Sequence, residues 1–184
     1  MIPPGEAFAE KYLAVTTTEA FYNATPEERI TAVLAIKTPH DVRFLSSFFE
    51  NQCKLHSFKQ TSENSSIAIF KFKVARYYCN GSGNLHGGAH ATIYDVLTSM
   101  TMQGIGKPGG WVNGGVSRSL RCTYLRPAPE GIDVLCEVEF MHSGRSLALM
   151  RGVMKRADNG KLISTCEHDK AYVPSKPGWD KPKL

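Results

Sequence analysis

The residues whose types and spacing could do chemistry stand together in Asn80-Gly81-Ser82-Gly83-Asn84-Leu85-His86-Gly87-Gly88-Ala89-His90-Ala91-Thr92-Ile93-Tyr94-Asp95. A glycine-rich loop runs there into a stretch of helical character that carries one carboxylate. A helix start leaves backbone N–H groups unpaired and partly positive, and glycine lets a ligand oxygen approach them closely. Such a place suits an acyl oxygen that gains charge during attack, with Asp95 as a candidate base. The helix is expected to continue through Val96, Leu97, Thr98, Ser99, Met100, Thr101 and Met102 and to stop at Gly104. It is apolar on nearly every side, which predicts burial, and a carboxylate there must be satisfied by hydrogen bonds or serve a site.

The elements that must position these groups are bounded by composition. A chain of 184 residues with 42% hydrophobic content fits one domain with a real core, or one domain with an added arm. No run reaches the roughly 20 apolar residues of a membrane helix, and the start lacks the pattern of a secretory or transit peptide. An intracellular, cytoplasmic protein is expected, with a mitochondrial location left open. The five cysteines, Cys53, Cys79, Cys122, Cys136 and Cys166, are odd in number and never form a C-x-x-C pair, which argues against a disulfide framework or a zinc ribbon. The net charge of +5 favours anionic partners. Without a nucleic-acid-binding pattern, solvated strand faces come first, a phosphate-rich small ligand next and nucleic acid last.

Along the chain, residues 1–50 read as a helical arm. Thr25-Pro26-Glu27-Glu28 has an N-cap, a proline at the first helical position and acids in the first turn. A second helix is expected from Pro39-His40-Asp41, with Val42, Phe44, Leu45, Phe48 and Phe49 on a face that needs a partner surface. Alternation follows: Ile67, Ile69, Lys71 and Lys73 oppose Ala68, Phe70, Phe72 and Val74. Four further strands are expected over 116–125, 132–142, 146–156 and 161–173, read as a meander with turn chemistry at Ser143-Gly144 and Asp158-Asn159-Gly160. The domain is expected over 51–173 and a loose basic tail over 174–184. The fold class is α+β: an antiparallel sheet wrapped around a long central helix is the economical way to bury that helix.

At this point the residues from Cys79 to Lys170 resemble the hotdog-fold acyl-CoA thioesterases. The resemblance rests on Asn80-x5-His86-Gly87-Gly88-x6-Asp95, supported by Gly115-Val116-Ser117, Thr123-Tyr124-Leu125-Arg126-Pro127 and Gly160-Lys161-Leu162-Ile163. It implies that the backbone N–H of Gly87 and the amide of Asn80 polarise a thioester carbonyl. Asp95 would be the general base or nucleophile, and Ser117 would hold the attacking water. His86, Gly88 and Tyr124 join the implied substrate-binding residues, and Arg145 with His168 or Lys170 is assigned to the phosphates of CoA. The partners implied are an acyl-CoA substrate and further copies of the chain, as a dimer and a tetramer of two dimers. No cofactor and no metal are expected.

Geometry gives a separate reason for two copies. Gly87 and Asp95 lie eight helical residues apart, roughly 12 Å at about 1.5 Å per residue, far beyond the ~3 Å reach that both would need at one carbonyl. If two antiparallel copies of the helix face each other, Gly87 of one approaches Asp95 of the other, giving two equivalent sites.

Other readings compete. His86 and His90, at i and i+4, could suit zinc, but no Glu stands between them; His86 is expected instead to bury its ring. Asn80 could shape the turn alone, and Asp95 could be a structural acid. Relative to the family, His90 replaces a small or apolar residue, Val96 replaces an amide, and the connection 104–115 is longer and richer in glycine. The rival function is a non-catalytic hotdog protein that binds acyl-CoA or docks through the helical arm.

Overall fold

A computed structural model describes residues 4–38, 43–51, 53–107, 110–111 and 114–174. The start of the second expected helix (Pro39 to Asp41, with Val42), parts of the glycine-rich connection and the tail after Pro174 lie outside the described residues. Four helices precede the sheet: α1 (Pro4–Thr16), α2 (Glu19–Asn23), α3 (Pro26–Leu34) and α4 (Phe44–Asn51). At the start of α3, at the expected N-cap, Thr25 Oγ1 accepts the Glu28 N–H while Glu28 Oε2 accepts the Thr25 N–H, a reciprocal capping box.

The sheet has six antiparallel strands: β1 (Cys53–Ser62), β2 (Ser65–Lys73), β3 (Val116–Tyr124), β4 (Asp133–Ser143), β5 (Leu147–Arg156) and β6 (Leu162–Ala171). Between β2 and β3 lies the long helix α5 (Gly87–Ile105). The strand order is β1-β2-β4-β5-β6-β3. This corrects the expected four-strand meander: β4, β5 and β6 do follow one another, but β3 crosses to the far edge and pairs with β6. Period-two alternation reports which face a residue takes and says nothing about which strand is its neighbour.

Those faces agree with the alternation. Ala68, Phe70 and Phe72 on β2, Val74 just after it, and Val134, Cys136 and Val138 on β4 share one buried cluster with Ile93, Tyr94 and Leu97 of α5, and Phe140 on β4 packs in a second cluster with Met102 of the same helix. Two close approaches need glycine. A Cβ at Gly152 would come within 2.6 Å of the Tyr94 ring, and one at Gly104 within 2.7 Å of the Phe58 ring.

The helical arm is packed onto this body. Ile30 and Val33 of α3 are fully buried in the common core. Buried Arg29 donates to the carbonyls of Gly104 and Gly106 at the C-terminal end of α5, and its guanidinium lies 4.9 Å from the Phe21 ring centre. The cation thus sits where the helix dipole and unpaired carbonyls favour one. Phe48 of α4 is buried edge-on against Phe72, at 5.4 Å between centroids, and each such ring contributes about 2 kcal/mol of burial. Among the described residues, the apolar faces of α3 and α4 are therefore spent largely within the chain.

One stripe of α5 is left without cover. Gly88 and Thr92 are exposed, and Asp95 and Ser99 are partly so. The burial expected for Asp95 is corrected accordingly: its side chain retains 47% exposure. The stripe runs beside the edge strand β3, where Val116 and Ser117 are also exposed.

Candidate active site

The loop before α5 is shaped by its own side chains. Asn80 Oδ1 accepts the N–H groups of Ser82 and Asn84 at 3.0 and 3.1 Å, so Asn80 does form the turn. Its carboxamide nitrogen is not used in those bonds. Gly83, at φ +73, takes the left-handed conformation that the tight turn requires. His86 is the N-cap of α5, and its Nδ1 accepts the Gly88 N–H at 2.9 Å. The expectation of a buried His86 is corrected: the ring is exposed and is spent on the cap. Because the ring satisfies Gly88, the N–H of Gly87 is left to a ligand.

Gly87, Asn80, Tyr124 and His90 line one cleft of about 410 Å3. Tyr124 fixes its wall by donating its hydroxyl to the Gly87 carbonyl at 2.9 Å. Arg126 lines the same cleft and donates to the Leu162 carbonyl.

A second cluster surrounds Asp95. Ser117 Oγ on β3 donates to Asp95 Oδ1 at 2.8 Å, and His168 Nε2 on β6 lies 2.9 Å from Ser117 Oγ and 3.4 Å from Asp95 Oδ1. His168 Nδ1 meets Thr98 Oγ1 at 2.6 Å. Burial, and then the charge of Lys170, lower the His168 pKa to about 4 against the opposing pull of Asp95 and Asp169, so the ring is neutral and carries one N–H. The Ser117 proton goes to the carboxylate, where the bond is charge-assisted. His168 thus bridges Ser117 and Thr98, whose single hydroxyl proton faces both His168 Nδ1 and the Tyr94 carbonyl 2.7 Å away. Asp95 Oδ2 has no partner among the described residues.

Two further assignments are corrected by burial. His168 and Lys170, read as contacts for CoA phosphates, both face inward between β6 and α5. Inward parity follows from the strand period, since Ser164, Cys166, His168 and Lys170 share one face of β6. Lys170 Nζ donates to Ser99 Oγ at 2.6 Å, and Ser99 donates to the Asp95 carbonyl. Burial lowers the Lys170 pKa while Asp95 opposes that shift. Arg145 sits exposed in the β4–β5 turn, beside Gly144, whose carbonyl accepts the Trp111 indole N–H. Within one chain it joins neither cluster.

His86 and His90 each commit Nδ1 elsewhere, to Gly88 and to Ser164, and no group of three metal-ligating side chains occurs among the described residues. Sequence reasoning missed Thr98, Ser99 and Ser164 as supports of the site. A signal existed: hydroxyl residues recur in an otherwise apolar helix, and Thr92, Thr98, Ser99 and Thr101 bond back to carbonyls four residues earlier.

Comparisons with known proteins give the family. The sequence profile of the Thioesterase superfamily matches residues 82–163. Acyl-coenzyme A thioesterase 13 of Homo sapiens is 32% identical over 104 residues, covering 55% of this chain and 70% of the relative, and its Mus musculus counterpart is 31% identical over the same length. Among solved structures, thioesterase superfamily member 2 from Mus musculus superposes with a TM-score of 0.63 at 23% identity, over 82% of this chain and 99% of that one. A Streptococcus pneumoniae thioesterase crystallised with coenzyme A gives 0.57 at 19% identity, over 71% and 91%. The chain belongs to the thioesterase superfamily and has its hotdog fold.

Proposed function

We propose that the protein is an acyl-CoA thioesterase, a thioester hydrolase that converts an acyl-CoA and water to a free acid and CoA. The relatives that carry that name support the activity, and solved neighbours that hold coenzyme A or acetyl-CoA support the substrate class. The carrying observation is the Asp95–Ser117–His168 chain, which holds one carboxylate oxygen and leaves the other open at an uncovered stripe of α5.

Two chains complete each site. The Gly87 N–H and the Asn80 amide of one subunit receive the thioester oxygen. The open carboxylate oxygen of the partner's Asp95 takes a proton from water as the water oxygen bonds to the carbonyl carbon. The resulting oxyanion is stabilised by the two donors. When it collapses the C–S bond breaks, the thiolate leaves, and the proton held by Asp95 returns to sulfur. Ser117 positions Asp95 and the water, while His168, itself held by Thr98, positions Ser117. A thioester is an activated acyl donor, so polarisation and an aimed water suffice without a triad or a metal. The wired carboxylate favours this reading over a non-catalytic binder, as does the packing of Ile30, Val33 and Phe48 of the arm onto the core. Further pairing of two dimers into a tetramer is part of the proposal.

The test is release of free thiol from a series of acyl-CoAs. Hydrolysis by the wild type and its loss in Asp95→Ala support the mechanism, and an Asp95→Ala variant of undiminished kcat sinks it.

A further inference from the structure

His90 is buried in the first turn of α5, yet it lines the cleft that holds Gly87 and Asn80. Its role follows from counting protons in the network behind it. Tyr94 Oη lies 2.8 Å from the Ser164 carbonyl and 2.9 Å from Ser164 Oγ, and it accepts the Met154 N–H at 3.0 Å. A phenol has one proton, and the carbonyl can accept only, so that proton goes to the Ser164 carbonyl. The 2.9 Å contact between the two hydroxyls then needs the Ser164 proton, which goes to Tyr94. Ser164 Oγ is left as acceptor toward His90 Nδ1, 3.0 Å away, which must carry the ring's hydrogen. Any other distribution leaves one of these short contacts without a proton between its atoms. Burial lowers the His90 pKa to about 4, so the ring holds no second proton near neutrality.

The other nitrogen, Nε2, is therefore a bare acceptor. It meets no partner among the described residues and is not among the fully enclosed unpaired atoms. The Tyr124 ring, edge-on to the imidazole at 5.4 Å, holds it in place. His90 stands three residues after Gly87, about 4.5 Å along the helix axis, and helical side chains lean back toward the N-terminus. A carbonyl oxygen held by the Gly87 N–H thus has an acceptor within two or three bonds' reach along the acyl chain.

We infer that His90 is a specificity-determining residue that accepts a hydrogen bond from a hydroxyl on the third carbon of the acyl group, so that 3-hydroxyacyl-CoAs are the preferred substrates. The inference rests on the thioesterase reading above. An unsubstituted chain leaves the acceptor desolvated and unpaired, and a hydroxyl of the wrong hand points away from it.

The test compares kcat/KM for butyryl-CoA and the two enantiomers of 3-hydroxybutyryl-CoA, whose intrinsic reactivities match each other. The wild type is expected to favour one enantiomer over the other and over butyryl-CoA by roughly three- to tenfold, the worth of one hydrogen bond. His90→Leu is expected to abolish that gap, read as the ratio of the three kcat/KM values, and His90→Gln, which restores an acceptor, to recover part of it. If the leucine variant does not fold, the wild-type gap and the glutamine variant carry the result. Equal rates on all three substrates in the wild type, or a gap that survives in His90→Leu, overturn the inference and leave thioester hydrolysis standing. A protein that hydrolyses longer acyl-CoAs but none of these three overturns the inference alone, and one that hydrolyses no acyl-CoA overturns both.

Discussion

Asp95 is useful because one of its oxygens is tied down. With Ser117 and His168 on Oδ1, the carboxylate keeps a fixed plane and presents Oδ2 outward. Asp95→Asn keeps that shape but removes the base, and kcat is expected to fall by about 10²- to 10⁴-fold with a small change in KM. His168→Asn touches no reacting atom in the proposed mechanism. It is expected to lower kcat by roughly tenfold with KM nearly unchanged, while Ser117→Ala costs more; steady-state kinetics of the variants would show the ordering. The two buried rings also set a pH signature. His90 and His168 have folded pKa values lowered to about 4 from an ordinary 6.5. Between those values the unfolded chain binds protons that the folded chain refuses, so stability falls as pH drops through 6.5 toward 4 and is full above it. Each ring contributes on the order of 3 kcal/mol across the whole window. Urea denaturation between pH 7 and pH 5 should show this slope, and His168→Gln should flatten it by about half.

At the scale of elements, α5 carries groups for both halves of the proposed chemistry, and its two ends are secured differently: His86 caps the start, and Arg29 from α3 closes the end. Arg29→Leu keeps the stem's packing but leaves two carbonyls unpaired, and about 2 kcal/mol of stability should be lost, measured by denaturant unfolding. Gly152→Ala, which drives a methyl into Tyr94, should cost about 1–3 kcal/mol in the same measurement. Much of this was legible beforehand. The α5 start, the Thr25 N-cap and the inward faces of β2 and β4 follow from glycine, capping chemistry and alternation. β1 was not legible, because an edge strand with register shifts and one buried residue, Cys53, shows no alternation. The place of β3 was not legible either, since strand order is a long-range choice made by packing on α5. The site divides along the same line. Asn80, Gly87, Asp95 and Ser117 could be picked by spacing and resemblance. The inward turn of His168 and Lys170 could not, because both look like ordinary surface charges on a strand that ends in polar residues.

For the whole molecule, the proposed mechanism makes one chain half of each site. The Gly87 cleft and the Asp95 cluster are about 12 Å apart along a rigid helix, and the uncovered stripe of α5 beside the free edge of β3 supplies the surface on which a second copy can bring them together. Asp95→Asn and Asn80→Ala damage opposite halves. In a heterodimer of the two, one site inherits both lesions and the other inherits none. The most direct measurement is therefore thiol release by that heterodimer, purified through two different tags. We expect about half of the wild-type activity per dimer, far above either parent homodimer. Activity no greater than the mean of the two parents would mean that the acid and the carbonyl-holding amides act within one chain, contrary to the mechanism proposed.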